Sequence, residues 1–457
     1  MTDCDVIVIG GGPAGMAAAL TAESHGASVT LLDEQATPGG QIYRAVAHCS
    51  EEMKLVLGDD YRYGETLVTA LSQSAVQQIY NATVWAIDSQ GTVTYSQQQS
   101  ANRINAKQII IATGALERPY PLPGWTLPGV MTIGAAQILL KSSQLIIDQA
   151  VLVGTGPLLY TMASQLINAG SAPAAVIDTV TTNHHLNAAR YFPFSQASNI
   201  LKGLSYLRQI TRAGVPYYKG ASEIEISGDT CADLIQFKSK SKTQHIKTDN
   251  VLLHQGVIPN TQLSRSLRLK HQWHQNQHCF HPVTDEWGVS SSDNIRIAGD
   301  GSGISGAEVA EQQGILVALG AVYALGAIDS RTRDTLAAPL KRKIATFKKL
   351  REFLDTLYEP PSIALKPENN TIVCRCEEVT AGEIRSCARL GCSGPNQTKA
   401  FSRCGMGPCQ GRYCGLTVTE ILAAENQMSH DEVGAYRIRS PIKPVTLAEL
   451  ASLDQTQ

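Results

Sequence analysis

The sequence has little that would place the protein in a membrane or on a nucleic acid. Its longest charge-free apolar stretch, Gln312 to Ile328, spans about 17 residues and is interrupted by glycines, which is short for a membrane span. The opening MTDCDVIVIGGG has no basic region before its apolar run, so we expect no signal peptide. The net charge of −2 argues against a surface that is basic throughout. We therefore expect a cytoplasmic protein with no transmembrane segment and no nucleic-acid partner.

The chain also lacks the paired thiols of a disulfide reductase. No C-x-x-C motif occurs in residues 119–284, and no cysteine pair adjoins Gly39 and Gly40, which excludes dithiol chemistry of the thioredoxin-reductase or glutathione-reductase kind. Of the 11 cysteines, seven lie between Cys374 and Cys414. In a reducing compartment, such a cluster favours metal binding over disulfide formation.

The N-terminal segment has the order of strand, glycine turn and helix. The apolar run Cys4 to Ile9 leads into GGGPAG, which has the G-x-G-x-x-G spacing, and an alanine-rich helical pattern follows. The second strand, Ala27 to Leu32, ends at an acidic residue that can accept hydrogen bonds from a ribose. This pattern predicts a dinucleotide site made by Gly10, Gly12, Pro13, Ala14, Gly15, Asp33 and Glu34.

Three further motifs resemble those of FAD-binding flavoproteins with two dinucleotide-binding domains. They are Pro38-Gly39-Gly40-Gln41, the Thr113-Gly114 pair after a strand, and Ile297 to Gly301. The resemblance implies FAD at the first site, with an aspartate of the last motif on the ribityl and phosphate region and a helix, Gly306 to Leu325, beneath it. It adds Gly40, Gln41, Thr113, Gly114, Gly299 and Asp300 to the predicted cofactor-binding residues.

A second glycine turn, Gly154-Thr155-Gly156, follows another strand but has Leu159 where the third glycine would stand. Asp178 ends the next strand, one position later than in the first motif, and no arginine follows to receive a 2′-phosphate. Two interpretations stay open here: a working nicotinamide or adenine-nucleotide site, or a retained fold used for packing or docking.

The C-terminal cysteines have the spacing C-x-C-x₃₂-C-x₄-C. Four thiolates suit zinc or an iron-sulfur cluster, although zinc sites more often pair two C-x₂-C knuckles. The CRCEEVT opening resembles the [2Fe-2S] domain of the bacterioferritin-associated-ferredoxin type, which implies Cys374, Cys376, Cys409 and Cys414 as ligands. Cys387, Cys392 and Cys404 match no ligand position and are expected to be small buried residues.

Taken together, GGQIYR, LLHQGVIPNTQL, GDGSGISGAEVAEQQG and RCGMGPCQGRYCG resemble the large electron-transfer subunit of heteromeric amine and amino-acid dehydrogenases. That family includes octopine and nopaline (opine) oxidases, D-hydroxyproline dehydrogenase and hydrogen cyanide synthase. The resemblance implies an oxidoreductase acting on CH-NH donors, with a β subunit of D-amino-acid-oxidase type that carries a second flavin. A small γ subunit and a quinone or respiratory acceptor are further expectations, as are peripheral membrane association and an extra FMN or adenine nucleotide at a subunit interface or in the second domain.

The expected fold is α/β, with two glutathione-reductase-like, Rossmann-type dinucleotide-binding domains and a small helical [2Fe-2S] domain. The predicted boundaries are residues 1–118 with 285–330 for the FAD domain, 119–284 for the second domain, 331–370 for a helical linker, 371–430 for the cluster domain and 431–457 for a polar tail. Within the linker, apolar residues at helical spacing predict an amphipathic helix with a basic face, which is either solvated or a docking surface for an acidic partner. Two rival interpretations remain: a self-contained NAD(P)H-dependent FAD and iron-sulfur reductase, and a non-catalytic scaffold.

Overall fold

The computed structural model describes residues 3–88 and 90–453. Its strands are β1 Cys4–Ile9, β2 Val29–Leu32, β3 Gln77–Ile79, β4 Thr83–Ile87, β5 Thr92–Gln97, β6 Ser100–Ile111, β7 Ala115–Glu117, β8 Val130–Thr132, β9 Val151–Thr155, β10 Ala175–Asp178, β11 Tyr217–Tyr218, β12 Ser222–Ser227, β13 Leu234–Ser239, β14 Lys242–Lys247, β15 Val251–Gln255, β16 Val257–Pro259, β17 His271–His274, β18 Cys279–Pro282, β19 Ile295–Ile297, β20 Ile372–Cys374 and β21 Val379–Thr380. Its α-helices are α1 Pro13–Ser24, α2 Glu51–Leu57, α3 Asp59–Arg62, α4 Gly64–Ser72, α5 Ile133–Ser143, α6 Pro157–Asn168, α7 Thr182–Ala188, α8 Ala197–Arg212, α9 Gln262–Ser266, α10 Ala307–Ala324, α11 Ser330–Leu357, α12 Ser362–Leu365, α13 Ala381–Arg389, α14 Pro395–Ser402, α15 Gly415–Asn426, α16 His430–Val433 and α17 Leu447–Ser452.

The first sheet has a parallel centre in the order β3-β2-β1-β6, with β19 also pairing in parallel with β6. The long strand β6 continues into an antiparallel pairing with β5, and β5 pairs with β4. Because β1 and β19 are parallel neighbours of β6, the glycine turn after β1 and the motif after β19 emerge at the same edge. The sheet therefore joins residues from the two ends of the predicted FAD domain.

Two small-residue helices cover this sheet. Helix α1 starts at Pro13, whose ring suits the first helical position, and its alanines are buried against α10. A side chain at Gly314 would place its Cβ 2.1 Å from the carbonyl oxygen of Ala14, so the backbones of the two helices are in direct contact at this point. The predicted helix from Gly306 to Leu325 is confirmed as α10.

The second sheet is parallel, in the order β11-β10-β9-β15-β8, and the antiparallel meander β12-β13-β14 lies between β11 and β15 in the chain. Its strands β9, β10 and β15 are buried along their whole length, as expected of strands covered on both faces. The α/β class with two dinucleotide-type sheets is thus confirmed.

The cysteine-rich segment forms a small module of β20, β21 and helices α13 to α16. Its apolar residues belong to the same core cluster as β1 and β6 of the first sheet. Trp273 of the hairpin β17-β18 stacks on His430 of α16, with ring centroids 4.0 Å apart, and the indole N–H of Trp125 donates to the carbonyl of Ile372 at 2.7 Å. The module therefore contacts the hairpin β17-β18 through Trp273 and the segment between β7 and β8 through Trp125.

The expectation that the end of the chain is an uninformative polar tail is wrong. Tyr436, Ile438 and Ile442 are buried in the module's core, and the backbone N–H of Ile442 donates to the carbonyl of Trp85. The ring of Tyr436 stands where side chains at Gly405 and Gly411 would be. The sequence alone did not reveal this, because charged residues separate the buried ones, as Arg437 does between Tyr436 and Ile438.

None of the helices in residues 3–88 and 90–453 combines the length and apolar character that a bilayer crossing requires.

Candidate cofactor sites

A cavity of about 620 Å³ opens where the first and second sheets and the cysteine module meet. Its wall contains most of the residues predicted for the first nucleotide site: Gly10, Gly12, Pro13, Ala14, Asp33, Glu34, Gly40, Gln41, Thr113, Gly114 and Asp300. The other two predicted residues, Gly15 and Gly299, lie behind the wall and allow close packing. A Cβ at Gly15 would lie 1.8 Å from the carbonyl oxygen of Gly10.

The floor of the cavity is bare backbone. Gly40 has a φ of +59°, and a Cβ there would lie 2.8 Å from the Cα of Gly12. Two chain segments from different parts of the fold therefore approach each other at a point that admits no side chain. Such a floor lets a pyrophosphate reach backbone N–H groups.

Asp33 lies at the end of β2 and is buried. Its Oδ2 accepts from the backbone N–H of Gly11, and its Oδ1 accepts from that of Gln35 at 2.7 Å. Burial raises the pKa of Asp33, and these backbone hydrogen bonds oppose the rise. The carboxylate thus braces the glycine turn and faces the cavity, where a ribose hydroxyl would be received.

Asp300 is held at the N-terminus of α10. Its Oδ1 accepts from the backbone N–H groups of Ser305 and Gly306, at 2.8 and 3.0 Å, while among the described residues its Oδ2 makes no hydrogen bond. Burial raises the pKa of this carboxyl group too. Its free oxygen is available to a hydroxyl group of a bound ligand.

An unpaired buried donor gives further support for FAD in this cavity. The side chain of Arg44 lines the cavity, and its Nε is buried with no hydrogen-bond partner among the described residues. Such an unpaired buried cationic donor is costly unless a ligand accepts from it, and a phosphate would do so. The bare floor, Asp33, Arg44 and Asp300 together supply the donors and acceptors that an adenine dinucleotide requires.

The second sheet has the same topology but a different chemistry at its acidic residue. Asp178 is buried, and its Oδ2 accepts from the hydroxyl groups of Tyr160 and Tyr217, at 2.7 and 2.5 Å. Its Oδ1 accepts from the backbone N–H of Val180. Tyr358 of the α11 end packs against Tyr160, with ring centroids 6.2 Å apart. The position that would receive an adenosine ribose is therefore filled by the protein's own side chains.

Two cavity residues were not among the predicted site residues. Glu117, on β7, accepts from the backbone N–H of Gly134 at 2.7 Å, and its other oxygen lies 2.5 Å from Nδ1 of His254. His254 is buried at the end of β15, with Nε2 beside the glycine turn at Gly156. Glu117 and His254 are 137 positions apart in sequence, and the antiparallel pairing of β7 with β16 places them side by side.

Five of the seven cysteines between Cys374 and Cys414 lie in two groups. The Sγ atoms of Cys376 and Cys409 are 3.9 Å apart. Two thiolates on one tetrahedral metal ion lie about 3.8 Å apart, given metal–sulfur bonds of about 2.3 Å. The sulfurs of Cys374, Cys404 and Cys414 lie within 4.8 Å of one another. Each group thus contains two of the four predicted ligands, as a centre with two metal ions would require. Cys404 also lies in the second group, although its position in the sequence matched no ligand.

The environment of Cys374 favours a thiolate. Hydrogen bonds from the thiols of Cys404 and Cys414 lower the pKa of Cys374 to about 2, with backbone N–H groups of Gly405 and Glu377 contributing and burial opposing. The same contacts raise the pKa of Cys404 and Cys414, so the group holds one thiolate, and binding of a metal ion would release the other protons. The donor set fits a metal centre held by sulfur.

The loop from Cys409 to Cys414, called the cysteine loop below, also lines the cavity. Arg412 and Tyr413, between Cys409 and Cys414, line it, and Gln262 of its wall donates to the carbonyl of Cys409 at 3.4 Å. The loop that carries two predicted ligands therefore shares a wall with the glycine turn of the first sheet.

Residues 4–314 match the family model described as pyridine nucleotide-disulphide oxidoreductase. The chain belongs to this family. It is accordingly an oxidoreductase of a flavin-dependent family, although it lacks the paired cysteines of the disulfide-reducing members. Residues 368–453 match a second model, the sarcosine oxidase A3 domain, whose span includes the buried C-terminal residues.

Several relatives are similar along almost the whole chain. One of the opine oxidase subunits of Rhizobium meliloti is 44% identical, over 99% of this chain and 88% of that protein. The hydrogen cyanide synthase subunit HcnB of Pseudomonas aeruginosa is 30% identical, over 98% of both chains. The expected resemblance to opine oxidase subunits is thereby confirmed.

Among solved structures, L-proline dehydrogenase from P. horikoshii superposes with a TM-score of 0.71 over 98% of this chain and 79% of that one. At 19% identity, this similarity shows a shared fold.

Proposed function

We propose that this chain is the electron-transfer α subunit of a heteromeric, flavin-dependent dehydrogenase for opine-type amines or amino acids. Its partner is a β subunit of D-amino-acid-oxidase type, where a second flavin oxidises the C–N bond. The acceptor is a quinone or another respiratory carrier. The support is the 40–44% identity to opine oxidase subunits, whose names describe one part of a larger oxidase.

The observation that carries the proposal is the shared wall of the cavity. Arg412 and Tyr413 of the cysteine loop line the same space as Gly12 and Asp33 of the nucleotide site. FAD bound there would supply two-electron chemistry, and a [2Fe-2S] cluster on the thiols would supply one-electron transfer. The two chemistries are complementary only if the two sites lie close together, and the shared wall supports such an arrangement.

The chain's own residues have three tasks in this scheme. Gly12, Gly40 and Arg44 hold the pyrophosphate, while Asp33 and Asp300 hold the hydroxyl groups of the ribose and ribityl chains. Cys374, Cys376, Cys409 and Cys414 hold the irons.

The test is to purify the chain with its co-expressed neighbouring subunits and to assay octopine, nopaline, D-hydroxyproline and glycine with a redox dye. We expect activity from the complex with at least one of these substrates and none from the chain alone. Robust activity of the isolated chain would contradict the proposal, because it assigns substrate oxidation to the partner.

Iron and labile sulfide in the purified protein test the ligand set. Cys409→Ser should remove most of the iron and abolish dye reduction, while the flavin stays bound. Cys404→Ala should keep the iron, since the four proposed ligands remain. The matched control is Cys231→Ser, an exposed cysteine outside the module that should change neither. Loss of iron in Cys404→Ala with retention in Cys409→Ser would overturn this ligand assignment.

A further inference from the structure

Helix α5, which follows β8 of the second sheet, carries a lysine that contacts the first nucleotide site. Lys141 is buried, and its Nζ donates to the carbonyl oxygens of Gln41 and Ile42, both at 2.9 Å. It also donates to Oε1 of Gln137, one turn earlier on the same helix, at 2.9 Å. In the part of the chain that the structure describes, its hydrogen-bond partners include no carboxylate. The lysine therefore has three neutral oxygen acceptors and no counter-ion.

The three acceptors match the three N–H bonds of an ammonium group. A neutral amine has two N–H bonds and a lone pair, so one of the oxygens would face the lone pair if Lys141 lost its proton. Burial lowers the pKa of Lys141 to about 7, and the positive charge of Arg44 adds to this effect. The hydrogen-bond geometry thus favours the charged form, whereas the surroundings bring its loss into the range of neutral pH.

The carbonyl groups that Lys141 holds lie in the middle of the segment from Gly39 to Arg44. At one end of this segment, Gly40 meets Gly12 at the cavity floor, and at the other end the Nε of Arg44 is unpaired. Among the described residues, no other donor reaches these two carbonyls. Lys141 therefore fixes the stretch of chain on which both the bare floor and the cationic donor depend.

We propose that Lys141, as an ammonium, is a positioning residue for the dinucleotide, and that the affinity of this chain for FAD depends on its protonation. Lys141 is not among the residues that line the cavity, so it acts through segment 39–44. The inference rests on the proposed binding of FAD at the first site, but not on the metal centre, the partner subunit or the substrate. It gives the helix that follows β8 of the second sheet a role in holding the cofactor of the first.

The direction of the pH dependence follows from charge. A pyrophosphate beside Arg44 brings negative charge, which offsets the repulsion between Arg44 and Lys141 and so raises the pKa of Lys141 in the flavin-bound state. A group whose pKa rises on binding favours binding while it is protonated. The affinity for FAD should therefore be constant below pH 7 and should fall as the pH rises above 7.

The other groups that face Lys141 do not titrate in this range. The ring centroid of Tyr61 lies 5.5 Å from Nζ, and burial raises the pKa of this phenol further above neutral pH. Burial also raises the pKa of the Cys49 thiol, which neighbours Tyr61. Arg44 keeps its charge, as guanidinium groups in proteins do. A loss of affinity between pH 7 and 9 would therefore report on Lys141.

The experiment measures the apparent dissociation constant of FAD from the full chain with its co-expressed subunits, by the fluorescence of flavin released on serial dilution at pH 6 to 9. For the wild type, we expect about tenfold weaker binding at pH 9 than at pH 6, which corresponds to a pKa difference of about one unit between the bound and free states. Lys141→Met should bind about tenfold more weakly than the wild type at pH 6 and should show no pH dependence, because it cannot donate to the two carbonyls. Lys141→Arg, which stays charged, should bind at pH 9 as it does at pH 6.

The matched control is Lys54→Met. Lys54 is also buried, but in the described structure its hydrogen bonds go to the carboxylates of Glu51 and Glu65 and not to segment 39–44. Its variant should keep the wild-type pH profile of flavin release, and the iron content should be the same in all variants.

The inference is overturned if the wild-type affinity is the same at pH 6 and 9, or if Lys141→Met keeps the wild-type affinity or pH profile. A wild type without flavin would overturn it together with the proposed cofactor. Equal binding of flavin by the wild type and Lys141→Met would overturn this inference alone, so the two failures are distinguishable.

Discussion

At the scale of single residues, the nucleotide site depends on the absence of side chains at Gly12 and Gly40. Their backbones meet at the cavity floor, so the site consists of peptide groups rather than side chains. Charged side chains complete the site: Asp33 braces the turn, and the unpaired Nε of Arg44 gives the cavity a cationic donor. The cavity therefore combines backbone shape with charge.

The Gly40→Ala substitution should reduce bound flavin at least fivefold, because its Cβ would push against the Cα of Gly12 and lift the cavity floor. The matched control is Gly26→Ala. Gly26 also has a positive φ, of +82°, but a Cβ there meets nothing within 4 Å. Both changes should cost about 1 kcal/mol of stability from backbone strain alone.

Flavin per chain is read from the visible absorption of the purified variants, and stability from thermal unfolding. Equal flavin contents in Gly40→Ala and Gly26→Ala would show that the close approach at Gly40 does not matter for the cofactor.

At the scale of elements, the cysteine module is fixed to the body by helix α15. Glu420 of this helix is buried, and its two carboxylate oxygens lie 3.1 Å from Nδ1 of His278 and 2.9 Å from Nε2 of His430. His278 belongs to the turn of the hairpin β17-β18, whereas His430 begins α16. One carboxylate therefore joins three elements and keeps the cysteine loop against the cavity.

This contact predicts a pH dependence. Burial opposes ionisation of Glu420, but hydrogen bonds with His278 and His430 outweigh it and lower its pKa from 4.5 to about 2. Because the folded pKa lies below the ordinary value, the stabilisation is present above pH 4.5 and is lost as the pH falls towards 2. A shift of this size corresponds to about 3 kcal/mol.

Glu420→Gln should therefore lower the unfolding temperature at pH 6 and flatten its decrease between pH 4.5 and 2. The control is Glu425→Gln on the same helix, which removes a partly exposed salt bridge to Arg385 and should leave the pH profile almost unchanged. Parallel acid profiles of the wild type and Glu420→Gln would refute the assignment.

At the scale of the whole molecule, two sheets of similar topology have different roles. The first lines the cavity with Asp33, whose two oxygens accept from backbone N–H groups, and with a bare glycine floor. The second has its acidic residue, Asp178, saturated by Tyr160 and Tyr217, so its topology is retained without the ribose contact. The electron source is then expected to be a partner protein rather than a nicotinamide nucleotide.

Anaerobic NADH or NADPH should leave the flavin of the purified complex oxidised, because Tyr160 and Tyr217 already donate to Oδ2 of Asp178, where the adenosine ribose would bind. The amine substrate should bleach the flavin under the same conditions. Bleaching by NADH at a rate comparable to that by the substrate would favour the self-contained reductase instead.

The sequence alone determined the local chemistry. The glycine spacing after β1, the acidic end of β2 and the C-x-C and C-x₄-C pairs are short-range patterns, and each predicts a turn or candidate ligands within a few residues. The helix α10 was predictable for the same reason, since its small apolar residues follow directly after the Gly299-Asp300 motif.

Only the tertiary structure decided what these groups face. The contact of Glu117 with His254, the saturation of Asp178 and the position of Cys404 beside Cys374 all join residues that are far apart in the chain. The burial of Tyr436 in a segment of mostly polar residues is another case, because its ring fills space left by glycines 25 to 31 positions earlier. Such contacts follow from how sheets and helices pack together, and no local pattern of residues encodes them.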